Sequence, residues 1–158
     1  MLTSDKTAGP KGPADHVPLG DEIRDRLCER FSPRRAAYIR RVLTAAELSV
    51  VADPADALVI ARIKRMSARR LSRFERLEPV DSEDRRLFGW LQLRWIRDEE
   101  YLLGTRLGRA PTHRELFADF TRHRNGPRFR AYFALKCPQR VRPIRRPRSD
   151  TPATHAVA

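Results

Sequence analysis

The chain has 158 residues, 41% of them hydrophobic and 34% charged, and carries a formal net charge of +13. That length suits one compact domain with tails, the apolar share is enough for a modest core, and the positive excess draws in phosphate polyanions or acidic surfaces. Cys28 and Cys137 stand far apart without CxxC or Cys/His spacing, which excludes a structural zinc site, while Met1 to Gly20 lacks the apolar stretch of an export signal and no apolar run approaches the roughly 20 residues of a membrane span. The composition therefore predicts a soluble cytoplasmic protein with a reduced cysteine pair, no cofactor and no membrane partner.

Residues 1–18, with Gly9-Pro10, Gly12-Pro13 and Pro18, read as a disordered arm. From Leu19 the period turns helical, with Ile23, Leu27 and Phe31 four residues apart. Ser32-Pro33 stops that helix and starts a second, whose apolar positions Ala36, Ile39, Leu43, Ala46 and Val50 carry it to about Ala52. Asp53-Pro54 repeats the cap-then-proline signal and opens a third helix over 54–77.

On that third helix, at roughly 100° per residue, Ile60, Ile63, Leu71 and Phe74 share an arc of about 80°. Arg62, Arg65, Arg69, Arg73 and Arg76 occupy an arc of about 80° on the opposite side, with no acid among them. Like charges one turn apart are mildly destabilising, so an unbroken stripe asks for a counter-charge above it. A solvated face balanced by buffer anions is the alternative reading.

Asp81-Ser82, with Glu83 and Asp84 in the first turn, starts a fourth helix to about Leu103. It is apolar on most sides, which predicts the central helix, with Trp90, Leu91, Trp95 and Leu102 in the core. Gly104 and Gly108 then make a turn, and Thr112-His113-Arg114-Glu115 has the form of a capping box that opens a fifth helix carrying Leu116, Phe117 and Phe120. Asn125-Gly126 ends it, and Pro127 starts a sixth helix with Phe129, Tyr132 and Phe133 that stops before Pro138. Residues 139–158 hold Pro143, Pro147 and Pro152 and read as a disordered basic tail.

The expected fold is thus all-α: a compact bundle of five or six helices over 19–138, with a helix-turn-helix-like bend near 104–138, between the arms 1–18 and 139–158. The run Leu107-Gly108-Arg109-Ala110-Pro111-Thr112 followed by Glu115-Leu116 resembles a segment of the helix-turn-helix regions of bacterial sigma factors. The resemblance covers about ten residues and implies the bend alone. The surrounding chain departs from that family's pattern, and a glycine turn with a capping box also joins helices in general.

Between Phe120 and Arg148 there is no acid, while Arg122, Arg124, Arg128, Arg130, Lys136, Arg140, Arg142, Arg145, Arg146 and Arg148 are basic. Arg128 and Arg130, at the start of the sixth helix, gain a dipole that favours phosphate, and Arg140, Arg142, Arg145 and Arg146 form an arm able to follow a groove. Codon bias explains arginine in place of lysine but not the missing acids. Catalysis has no constellation to rest on. Asp98, Glu99 and Glu100 diverge by ~100° each on a helix, His123 lies between arginines, and no phosphate loop or nucleophile elbow is present. The sequence therefore predicts a non-enzymatic nucleic-acid-binding or regulatory protein that contacts DNA or RNA phosphates through the stripe and the arm. The alternative is a helical adaptor or inhibitor on an acidic protein surface.

Overall fold

The computed structural model describes residues 19–145, with side chains described from Arg24 onward. Eight α-helices, two 3₁₀ turns and one two-stranded ribbon lie among them. The helices number eight, not six, because the expected second and third helices are each cut by an internal cap. Contacts group the chain into two compact units that divide after Ala57.

The first unit holds α1 (Leu19–Arg30), α2 (Pro33–Val42) and α3 (Ala45–Ser49). Ser32 and Pro33 start α2 as the sequence predicts. The run expected to reach Ala52 breaks at Leu43, which is extended. Thr44 then caps α3: its hydroxyl accepts from the Glu47 N–H at 3.2 Å, and the Glu47 carboxylate accepts from the Thr44 N–H at 2.7 Å. That reciprocal box satisfies donors a continuous helix would have bonded internally, and the bend it makes lets Leu27, Ile39, Leu43 and Leu48 all bury.

In α4 (Pro54–Lys64) Asp53 accepts from the Ala55 N–H at 2.9 Å, again as the sequence predicts. The second unit takes this helix from Leu58 on. The 54–77 helix is a correction: it ends at Lys64, and Ser67 opens α5 (Ala68–Leu71) by accepting from the Arg70 N–H at 3.3 Å. Serine offers the backbone this alternative more readily than it continues a helix. A 3₁₀ turn, Phe74–Arg76, leads into β1 (Leu77–Pro79).

The long α6 (Ser82–Leu107) is capped by Asp81, which accepts from the Asp84 N–H at 2.9 Å. It runs through Gly104 and stops at Gly108, whose φ of 69° is the left-handed conformation that ends helices. The capping box at Thr112 and Glu115 forms as predicted and starts α7 (His113–Arg122). The corner after it is made by Arg124 at φ 53°, and α8 (Asn125–Lys136) begins with Pro127 among the first-turn positions that need no intrahelical donor.

The central helix is α8, not α6. Phe129, Ala131, Tyr132, Phe133 and Ala134 are all buried, and Phe133 is at 0% exposure. Phe88 and Trp95 of α6 meet them edge-on, with ring centroids 4.9 Å (Phe88–Phe129), 5.1 Å (Phe88–Phe133) and 5.8 Å (Trp95–Phe129) apart. Ile63, Leu71 and Leu91 complete this core. Of the four residues expected inside from α6, Leu91 is buried, Trp95 and Leu102 are half-buried, and Trp90 is 61% exposed. An apolar surround on a helix is a property of composition; burial needs neighbours on every side, and α6 has them on one.

The tail boundary also moves. A 3₁₀ turn (Pro138–Arg140) leads into β2 (Val141–Pro143), which pairs antiparallel with β1, Glu78 opposite Arg142. Residues 139–143, expected to be disordered, are therefore part of the folded unit. Strands of three residues are too short to show alternation. The arms expected over 1–18 and from 146 onward lie outside the described residues.

Candidate nucleic-acid interface

Arg62, Arg65, Arg69, Arg73 and Arg76 are all exposed. They do not share one helical face, because α4, the turn at Arg65, α5 and the 3₁₀ turn hold them in succession. Among the described residues none of the five pairs with a carboxylate. From Ala57 to Phe74 the chain has no acid, and Arg70 adds a further exposed guanidinium. What periodicity assigned to one helix is thus a set of exposed guanidiniums on broken backbone, acid-free as far as Phe74, with Glu75 beside Arg76.

The second group divides. Arg140 is bound to the buried carboxylate of Asp84 at 2.7 Å, and this hydrogen-bonded neighbour holds the guanidinium pKa above its ordinary value. Arg142 pairs with Glu78 across the ribbon at 3.0 Å. Arg130 donates to the Leu77 carbonyl at 2.9 Å and lies 5.7 Å from the Phe88 ring centre. Arg128 is half-buried, and its Nε is buried with no hydrogen-bond partner among the described residues. The guanidiniums of Arg130, Arg140 and Arg142 fasten the fold. Arg145 is exposed, and Arg146 lies outside the described residues.

The ribbon decides where the two basic regions meet. Beyond the paired strands, the Ile144 N–H donates to the Arg76 carbonyl at 2.8 Å. The end of the first run and the segment leading to Arg145 are therefore backbone neighbours, an adjacency no local sequence signal could give.

Sequence reasoning missed a polar junction among α6, α7 and α8. Asn125, 1% exposed, donates to Glu99 at 3.3 Å; Arg106 donates to Asp119 at 3.0 Å; and His123 Nδ1 stands 3.2 Å from Asp119. Burial raises the Glu99 pKa, and the hydrogen bond from Asn125 opposes that. His123, read as isolated between arginines, has a carboxylate one turn earlier on α7; Asp119 at i−4 was the signal available. Among the described residues no group of three or more His, Cys, Asp or Glu side chains is placed to hold a metal ion.

The segment that resembles a helix-turn-helix joins α6 to α7, and a corner at His123–Arg124 joins α7 to α8. The helix after that corner is the buried α8, so its Phe129–Ala134 stretch faces the core. No described helix is long and apolar enough to cross a membrane. Set against family models, curated proteins and solved structures, the chain matches none of them.

Proposed function

We propose that this protein is a non-enzymatic nucleic-acid-binding or regulatory protein that contacts the phosphate backbone of DNA or RNA with little sequence preference. Arg62, Arg65, Arg69, Arg73 and Arg76 are the contacts, extended by Arg145 and the basic chain beyond it. The observation that supports this reading is the hydrogen bond that sets Ile144, next to the exposed Arg145, beside Arg76 at the end of a run of exposed arginines unpaired among the described residues. Guanidiniums without carboxylate partners leave their donors to a phosphate, which they can fork onto. The buried face of α8 argues for backbone contact over groove reading.

The test is binding to duplex DNA, single strands and RNA over a salt series. Each duplex phosphate neutralised adds about 0.9 to the steepness with which log affinity falls with log salt, so six contacts give a slope of about −5. The variant R65E/R69E/R73E is expected to lose roughly half that slope and most of the affinity. Absence of binding to any of the three at low salt, or equal binding by the variant, overturns the reading. A stoichiometric acidic protein retained after nuclease treatment would support the adaptor role instead.

A further inference from the structure

The side of α6 turned away from the core carries Arg86, Trp90, Leu93, Arg97, Glu100, Gly104 and Leu107, alternately four and three residues apart. That is the a/d spacing of a coiled-coil seam. All but Gly104 are exposed, Trp90 and Leu93 by 61% and 62%, although the opposite side of the same helix is packed on α8. A solvated helix face of a monomer has no use for an exposed tryptophan and leucine one turn apart, since exposed apolar patches mark contact surfaces.

The order of residues along the seam says what covers it. About a point midway between Asp98 and Glu99 the stripe is complementary to its own reverse. Arg97 and Glu100 are equidistant from that point, about 2 Å along the axis on either side at 1.5 Å per residue. Leu93 and Gly104 are each about 8 Å from it, and Trp90 and Leu107 about 13 Å. A two-fold axis there lays a second α6 antiparallel on the first. It sets each Arg97 against the other chain's Glu100, and each Leu93 and Trp90 against the other chain's Gly104–Leu107 end.

The loop Arg109–Pro111 returns along the helix beside Gly104, where a Cβ would stand 3.3 Å from the Arg109 carbonyl oxygen and 3.5 Å from Pro111 Cδ. Helix and loop border a shallow, widely open depression of about 590 Å³, lined by Arg97, Glu100, Tyr101, Gly104, Gly108 and Pro111 among others. Leu93 thus has a small residue, Gly104, at its matched distance along the helix, and Trp90 has the exposed Leu107.

We propose that α6 is a homodimerisation surface, on which two copies of this chain pack antiparallel with reciprocal Arg97–Glu100 ion pairs at the centre, Leu93 of each copy at the Gly104 depression of the other and Trp90 against its Leu107. Such an interface is isologous, the usual form of a two-fold pair. Tryptophan and arginine are among the residues that dominate contact energies. Opposite charges meet locally, so the protein's net positive charge acts only at longer range, and at about 0.15 M salt screening confines it to about 8 Å.

Sedimentation velocity of the full chain over a concentration series at that salt tests the pairing. Expected is a reversible monomer–dimer equilibrium. R97E and E100R, each alone, bring like charges together twice and weaken association by about tenfold or more. An equimolar mixture of R97E and E100R restores both ion pairs and with them the dimer. Far-UV circular dichroism, unchanged in each variant because both residues are exposed, separates loss of pairing from loss of fold. A chain that stays monomeric at every concentration, or two variants that fail to associate when mixed, overturns the proposal.

Discussion

Replacing Phe133 with alanine, beside the same change at Trp90, tests which helix is the centre of the second unit. Phe133 is fully buried, and its ring meets Phe88 at 5.1 Å and 76°. An aromatic side chain of this kind buries about 150–250 Å², worth about 4–6 kcal/mol at about 25 cal/mol per Å². Measured Phe-to-Ala losses in cores run about 3–5 kcal/mol, against a total stability of about 5–15 kcal/mol. With a urea dependence of about 2 kcal/mol per molar, Phe133→Ala should lower the midpoint by about 2 M without changing the slope. Trp90→Ala, at a position 61% exposed, should stay within about 0.5 kcal/mol of the parent in dilute protein. Equilibrium urea unfolding followed by circular dichroism measures both. If Trp90→Ala costs as much as Phe133→Ala, the assignment of α8 as the core helix is refuted.

Two further outcomes follow from the ionised groups. Burial raises the Glu99 pKa above its ordinary 4.5, so its contribution to stability is fully present below that value and is lost as pH rises through the folded-state pKa. Glu99→Gln keeps a carbonyl acceptor for Asn125 and should gain on the parent as pH rises above the ordinary carboxylate range; a gap independent of pH in urea titrations would count against this. Arg140→Ala strands the buried Asp84 carboxylate, whereas Arg145→Ala removes the same charge from solvent. Thermal melts should therefore show a clear loss for the first and almost none for the second, and equal losses would remove Arg140 from its structural role.

Much of this fold was legible because helix starts are local events. Ser32-Pro33, Asp53-Pro54, Asp81 and the Thr112–Glu115 box all open helices where their residue types say they should. The same grammar was present at Thr44–Glu47 and hidden by the apolar period running through it, while Ser67 lacked an acid three residues on to announce itself. The identity of the central helix was out of reach of local reasoning. It depends on which apolar faces meet, and α6 has apolar residues on both its covered and its open side. The candidate interface was half legible for a related reason. Missing acids mark where positive charge is concentrated along the chain, but the carboxylate held by Arg140 sits 56 residues earlier, and local charge counting does not reach it.

The ribbon gives the chain an order of assembly. The Glu78–Arg142 pair joins residues 64 apart, so the closed loop contains α6, α7 and α8 entire. During synthesis from the N-terminus α6 emerges complete while Phe88 and Trp95 still lack the rings of α8 that cover them. A growing chain at that stage offers those aromatics to any chaperone or to a neighbouring nascent chain. The contacts that define the second unit, Phe88 with Phe129 and Glu78 with Arg142, thus form late in synthesis. Its exposed arginine run and its C-terminal arm become neighbours only once the last strand has docked.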